Sequence, residues 1–440
     1  MRGGSFCRRV TGAALLVLLS AWRLDAGDPA STFTLAECVS TALENSPELA
    51  QAREDLHLSQ ADYYSSFSSV LPSAYASTGY TRSGPNFRIS STGVMEEVTT
   101  ETYSTRFSLS QPLIDLPGLA GIFSSGAGLT AARASLRDRE SDVVLEVTEA
   151  YYGLLKARAL ESVFELALDR SERNLAHAEA LYELGAGSKA DYLSMKVEKT
   201  QAEVDLIGAR GAVDLARASL VKAMGIPFES EFELEEIPDL GHREVPQLSL
   251  LKELAFESRP ELASVDASLR RANLDVLSAR ASYLPTLSLT ADYSYSGEQF
   301  PGDAATWDDN DSWSVGLRAQ MPIFDGLLRE TALSRAATQR ARLGQEERRW
   351  ELAIEYEVEA AYHALRESDK RLDVVEVARE EAEESYRMAE ERYRLGAATP
   401  LELVTAQLAL TRAESSEVEA FYDRRLAVAR LENAIGCALP

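Results

Sequence analysis

The stretch RYRLGAATPLELVTAQ, Arg392 to Gln407, reads as the end of one helix and the start of another. Leu395 closes an apolar helical pattern, Gly396 suits a left-handed stop, and Thr399-Pro400-Leu401-Glu402 opens a new helix. The stretch ALYELGAGSKADYLSMK, Ala180 to Lys196, does the same 211 residues earlier with Gly185 and Ser188-Lys189-Ala190-Asp191. In each, the Ser or Thr accepts from free N–H groups of the new helix. The acid three residues on, Asp191 or Glu402, is expected to complete a capping box, and Pro400 suits a first helical position. One chain therefore carries two helical hairpins of one design.

The hairpins belong to a larger duplication. Residues 42–84 align without gaps on 255–297: Pro-Glu-Leu-Ala recurs at 47–50 and 260–263, and Leu-Pro at 71–72 and 284–285. QPLID (Gln111 to Asp115) echoes MPIFD (Met321 to Asp325), and Tyr151 in EVTEAYYGLL matches Tyr362 in EVEAAYHAL. The expected organisation is repeat 1 over 27–226, a linker over 227–254 and repeat 2 over 255–440. Each repeat holds a helix, two strands, a very long helix and a shorter helix.

No proline occurs between Pro117 and Pro227, and Gly153 is the only glycine between about Leu129 and Leu184. Val144, Val147, Tyr151 and Leu154, then Leu175, Ala178 and Tyr182, keep coiled-coil-like spacing. Val358, Tyr362, Leu365 and Leu372, then Tyr386, Ala389 and Tyr393, repeat it. A helix of this length would be on the order of 100 Å long. No single globular core needs that, so it packs against neighbours along its length.

PTLSLTADYSY (Pro285 to Tyr295) alternates apolar and polar residues, and so does SWSVGLRAQMP (Ser312 to Pro322), with a polar acidic loop between them. Weaker copies lie around Ala74–Arg82 and Thr102–Gln111. Ten-residue alternating segments with terminal aromatics suit an outer-membrane β-barrel facing lipid. Four strands cannot close one, and open edges are not tolerated in lipid, so chains must combine. Two chains give eight strands and a filled interior; three give twelve and a water-filled one. The polar inward face favours three. The alternative is a soluble sheet in an exported periplasmic coiled-coil scaffold without channel activity.

Arg2, Arg8 and Arg9 precede the short apolar run TGAALLVLLSAW, the pattern of a secretory signal peptide over about residues 1–26. The chain carries 45 Lys+Arg against 70 Asp+Glu, a formal net charge of −25 over 440 residues. That excludes a basic nucleic-acid footprint and predicts a negative passage that prefers cations. Cys7 lies in the signal, ahead of its apolar run. Cys38 and Cys437 are either bridged or two buried free thiols, the second reading being favoured. Metal-ligand spacing, phosphate loops and nucleophile motifs are absent, so no catalytic, cofactor or metal residue is expected.

TLAECVSTALENSPELA, SLSQPLID, YELGAGSKADYL and YRLGAATPLELV together resemble the TolC-type outer-membrane efflux protein family, over nearly the whole chain after the signal. The resemblance implies a mainly α fold with transmembrane β. Long coiled-coil hairpins build a periplasmic α-barrel, and four strands per chain build a twelve-stranded trimeric β-barrel. It implies a homotrimer acting as the exit duct of a tripartite export machine, with an inner-membrane pump and a periplasmic adaptor as partners. The tip residues Leu184, Gly185, Ser188, Leu395, Gly396 and Thr399 would then meet the adaptor. Asp191, Tyr393 and Glu402 would line or gate the entrance. Ala397 and Ala398 put no basic residue in the second tip, which leaves Tyr393 as a hydrogen-bond donor there.

Overall fold

A computed structural model of the chain describes residues 32–89, 91–230, 232–235, 246–300 and 310–439. The signal segment, Cys7, most of the loop between the second pair of strands and part of the linker lie outside them. Strand β1 (Thr32–Phe33) leads into helices α1 (Leu35–Asn45) and α2 (Pro47–Ser66), strands β2 (Ser73–Ile89) and β3 (Met95–Ile114), and helices α3 (Leu116–Glu183) and α4 (Lys189–Met224). A short β4 (Glu233–Leu234) follows, and then the series recurs. Its second copy is α5 (Leu248–Ser258), α6 (Pro260–Ala281), β5 (Thr286–Gly297), β6 (Asp311–Gln320), α7 (Leu328–Arg394) and α8 (Pro400–Ile435). The long helices have 68 and 67 residues and the returning helices 36 each. At 1.5 Å per residue the long ones span about 100 Å.

Local chemistry starts and stops these helices. Thr34 and Glu37 form a reciprocal capping box on α1, while Ser46 caps α2 with Pro47 in its first turn. The copy of Ser46 in the second repeat is Arg259, and its side chain works differently. It donates to the carbonyls of Asn433 (3.1 Å) and Ala434 (3.5 Å), which end α8, and pairs with Glu261 and Glu357. Gly225 and Gly436 end α4 and α8 at φ +67° and +74°. A Cβ on Gly225 would meet the Asn45 carbonyl at 2.8 Å, and one on Gly436 the Ser258 backbone at 3.2 Å. The end of each returning helix thus presses on the junction of its own repeat's first two helices.

The long helices start differently. Asp115 accepts from the Gly118 N–H and caps α3. Its copy, Asp325, pairs instead with Arg329 at 2.8 Å, and that guanidinium lies 4.7 Å from the centre of the Tyr283 ring. Gly326 and Leu327 both take positive φ there, +72° and +71°. For Leu327 that conformation costs on the order of 1–2 kcal/mol.

Two apolar cores hold the middle of the molecule, one for each repeat. Cys38, Val147, Tyr151, Leu154, Leu220 and Met224 pack in the first, where Tyr151 donates to the Glu235 carbonyl at 2.9 Å. Leu251, Ile354, Val358, Leu365, Leu431 and Ile435 pack in the second. Cys38 lies in one core and Cys437 against the other, and both are free thiols, Cys38 buried and Cys437 half-buried. Burial, and then the nearby Glu37, push the Cys38 thiol up to about 11. Two predicted seam residues fall elsewhere: Val144 and Tyr182 are exposed while Val143 is buried. Tyr182 stacks on Tyr192 across the hairpin instead, ring centres 5.7 Å apart.

Strands β2, β3, β5 and β6 form one antiparallel sheet in that order. The first two are longer than the sequence pattern suggests. They run as a two-stranded ribbon beyond Arg82 and Glu101 to the pair Ile89–Met95. Gly84, Pro85 and Asn86 on one strand and Glu96 and Glu97 on the other break the alternation there, and the register shifts between Ser83 and Asn86. Among the described residues no helix is long and apolar enough to cross a membrane.

Candidate functional site

At the first tip, Gly185 has φ +72° and the N–H groups of Ala186 and Gly187 both donate to the Leu181 carbonyl at 2.9 Å. Ser188 then accepts from the Asp191 N–H at 3.1 Å, and the Asp191 carboxylate accepts from the Ser188 N–H at 3.4 Å. At the second tip Gly396 has φ +71°, and Thr399 accepts from the Glu402 N–H at 3.3 Å. Only half of the expected capping box forms there. The Glu402 carboxylate pairs with Arg392 of the outgoing helix (3.5 Å), and Arg392 also donates to the Ala397 carbonyl at 3.1 Å. The basic partner missing from the loop therefore comes from one turn before it, a reach that a search of the loop itself passes over. Leu184 and Leu395 stand out at the two ends, 82% and 83% exposed.

The two hairpins meet just behind these tips. Ala178 of α3, Met195 of α4, Tyr386 and Tyr393 of α7, and Leu403 and Leu410 of α8 make one apolar cluster. Tyr393 is buried in it, with the His177 ring edge-on at 5.6 Å. Burial, and then the charge of Asp191, push its phenol up. The fold thus brings Asp191 of one hairpin to Tyr393 of the other, while Glu402 is engaged within its own hairpin.

Away from the tips, α3 and α8 run antiparallel and are stitched by polar pairs. Arg170 makes two bonds to Glu414, at 2.6 and 2.8 Å, and buried Asn174 donates to Gln407 at 2.8 Å. Lys156 pairs with Asp423 and Arg430 with Glu149, at 2.8 and 2.7 Å. Sequence reading missed this set. Its signal is faint: paired residue numbers keep a nearly constant sum, as an antiparallel contact requires.

At the other end, cross-strand register sorts the sheet into two faces. Ala76, Phe107, Tyr293 and Trp313 form one row, and Ala74, Leu109, Ala291 and Val315 the next. Both lie on an apolar face that runs from the Leu287–Ala319 pair to Tyr295, eight residues or about 27 Å along the strand. Near its outer end Tyr80 and Tyr103 lie 4.9 Å apart, and Phe300 meets Tyr103 edge-on. The ion pair Arg82–Glu101 follows one step beyond. An apolar band bounded by aromatic rings and then by charge is what a lipid-facing strand wall looks like. The opposite face is mostly serine, threonine and glycine.

A sequence profile of the outer membrane efflux protein family matches residues 38–226 and 251–437. The chain belongs to that family. The alkaline protease secretion protein AprF of Pseudomonas aeruginosa is 26% identical over 94% of this chain and 86% of its own length. The probable efflux pump outer membrane protein TtgC of Pseudomonas putida is 25% identical over 90% and 80%. In fold, the chain superposes on the Campylobacter jejuni CmeC outer membrane channel with a TM-score of 0.83 at 17% identity. That match covers all of this chain and 94% of the other. This efflux protein is thus a channel of the outer membrane. Its sheet is the membrane wall and its helices project into the periplasm. Members of the family are channels rather than enzymes.

Proposed function

We propose that three copies of this chain join edge to edge into a twelve-stranded barrel continued by a helical tunnel. The assembly is the passive exit duct of a tripartite efflux or secretion system. The observation that carries this reading is the pair of unpaired edges: among the described residues β2 and β6 each pair on one side only. In hydrocarbon every unsatisfied backbone group costs several kcal/mol, so the edges need another chain. Two copies would leave an interior just wide enough for side chains, whereas three leave water, which suits the hydroxyl-rich face.

In this reading the two repeats, 27–226 and 255–440, joined through 227–254, supply one docking tip each. A periplasmic adaptor seats on Leu184, Gly185 and Ser188, and on Leu395, Gly396 and Thr399. Small glycines beside a protruding leucine leave room for a partner's hairpin, and three copies present six similar sites. Asp191, Tyr393 and Glu402 stand at the entrance. Contact between the hairpins through Tyr393 and Asp191 must loosen for it to open. An inner-membrane pump delivers the cargo, outer-membrane lipid surrounds the barrel, and no cofactor or nucleic acid takes part. The relatives AprF, a secretion protein, and TtgC, a probable efflux pump outer membrane protein, fit a duct whose cargo is chosen elsewhere.

Native mass spectrometry of the detergent-extracted protein should give three chains. The same sample should form ion-conducting pores in planar bilayers. A monodisperse monomer with an intact sheet would overturn the reading.

A further inference from the structure

The hydroxyl-rich face of the sheet carries fixed charges of its own. Within its four-stranded part these are Arg106 on β3, Asp292 on β5 and Arg318 on β6. Arg106 stands opposite Ser294, Arg318 opposite Ser288, and Asp292 opposite Ser108 and Ser314. Both arginines are exposed, and neither has an ion pair or side-chain hydrogen bond among the described residues. Their levels differ by six residues along β5, about 20 Å, with Asp292 between them.

We propose that Arg106 and Arg318 form two positive collars inside the barrel, making its membrane-spanning part an anion-preferring segment that favours anionic cargo such as carboxylates and phosphates. The proposal rests on the trimeric channel reading. A guanidinium stays charged at every physiological pH, and a water-filled passage with low-dielectric walls focuses its field. Each protomer contributes two positive charges and one negative to this face. Neighbouring serine and threonine hydroxyls, Ser294 and Ser288 first, add hydrogen bonds to an anion held there. The chain's net charge of −25 is spread over its whole length; of the carboxylates nearer the sheet, Glu101 pairs with Arg82 and Asp325 with Arg329. Carboxylates at the helix tips are on the order of 100 Å away, many Debye lengths at physiological salt. In this proposal the acidic entrance and the basic barrel act in series, and a positive segment interrupts the negative passage expected from net charge.

The test is planar-bilayer recording of the wild-type trimer, the pair Arg106→Gln/Arg318→Gln, the pair Arg106→Lys/Arg318→Lys, and Asp292→Asn. In a potassium chloride gradient the Gln pair should raise the cation-to-anion permeability ratio at least about threefold. The Lys pair should stay near wild type, and Asp292→Asn should move the ratio the other way. Citrate added on the barrel side should block the wild type, with a half-blocking concentration roughly tenfold higher for the Gln pair. Each single Gln variant, tested alone, should give part of both effects. Open pores whose reversal potential and citrate block do not change on neutralisation would overturn the collars and leave the channel reading standing. A monodisperse monomer with an intact sheet would sink both.

Discussion

Gly185 and Gly396 sit at φ +72° and +71°, and a Cβ added to either would find nothing within 4 Å. Space is therefore not what requires glycine at these tips; the backbone conformation is. A β-branched valine there pays the left-handed penalty, roughly 1–2 kcal/mol, and the turn shifts to relieve it. The next atoms inward are capped helix ends and the Tyr393 cluster, far from the sheet. On the proposed reading, Gly185→Val and Gly396→Val should therefore leave yield and membrane insertion unchanged, while cross-linking to the proposed adaptor and export both fall. Normal cross-linking and export with valine at both positions would show that the glycines only stop helices.

At the scale of elements, the repeat, the helix–strand–helix order and both hairpins are legible in the sequence, because caps and glycines act over a few neighbouring residues. Strand ends and seam residues are less so. Ile89 and Met95 end a ribbon that Gly84-Pro85-Asn86 and Glu96-Glu97 disguise, and Tyr182 stacks on Tyr192 of another helix. Least legible are contacts such as Arg170–Glu414, 244 residues apart in the chain. Both side chains are only 15% exposed, so removing one partner strands a charge in a site that water barely reaches. A change such as Glu414→Gln should cost on the order of 3 kcal/mol. The pair Arg170→Met/Glu414→Met, which removes both charges, should cost much less. Urea midpoints of the two variants and the wild type give the comparison. Equal losses in both would show that the two bonds, not the stranded charge, matter.

At the scale of the whole molecule, the two repeats meet where Asp138 of α3 faces Arg259 and Glu261 of α6, close to Glu357 of α7 and Asn433 of α8. Half-burial pushes the Asp138 carboxyl up to about 6, helped by the negative charges of Glu261 and Asp142 and opposed by Arg259 and Arg139. A raised carboxyl means that the folded chain holds this proton more tightly than the unfolded one, where an aspartate titrates near 3.9. Its contribution to stability is fully present below about pH 4 and is lost as pH rises through about 6. This seam should therefore tighten on acidification, the reverse of a carboxylate held by an ion pair. Removing the charge should reproduce the effect at neutral pH. Asp138→Asn should melt a few degrees above the wild type at pH 7.5 and together with it at pH 4. Thermal unfolding of the purified protein across that range measures it. An Asn variant that melts below the wild type at pH 7.5 would mean that the ionised Asp138 is held by its arginine neighbours after all, and that the two repeats are joined there by charge.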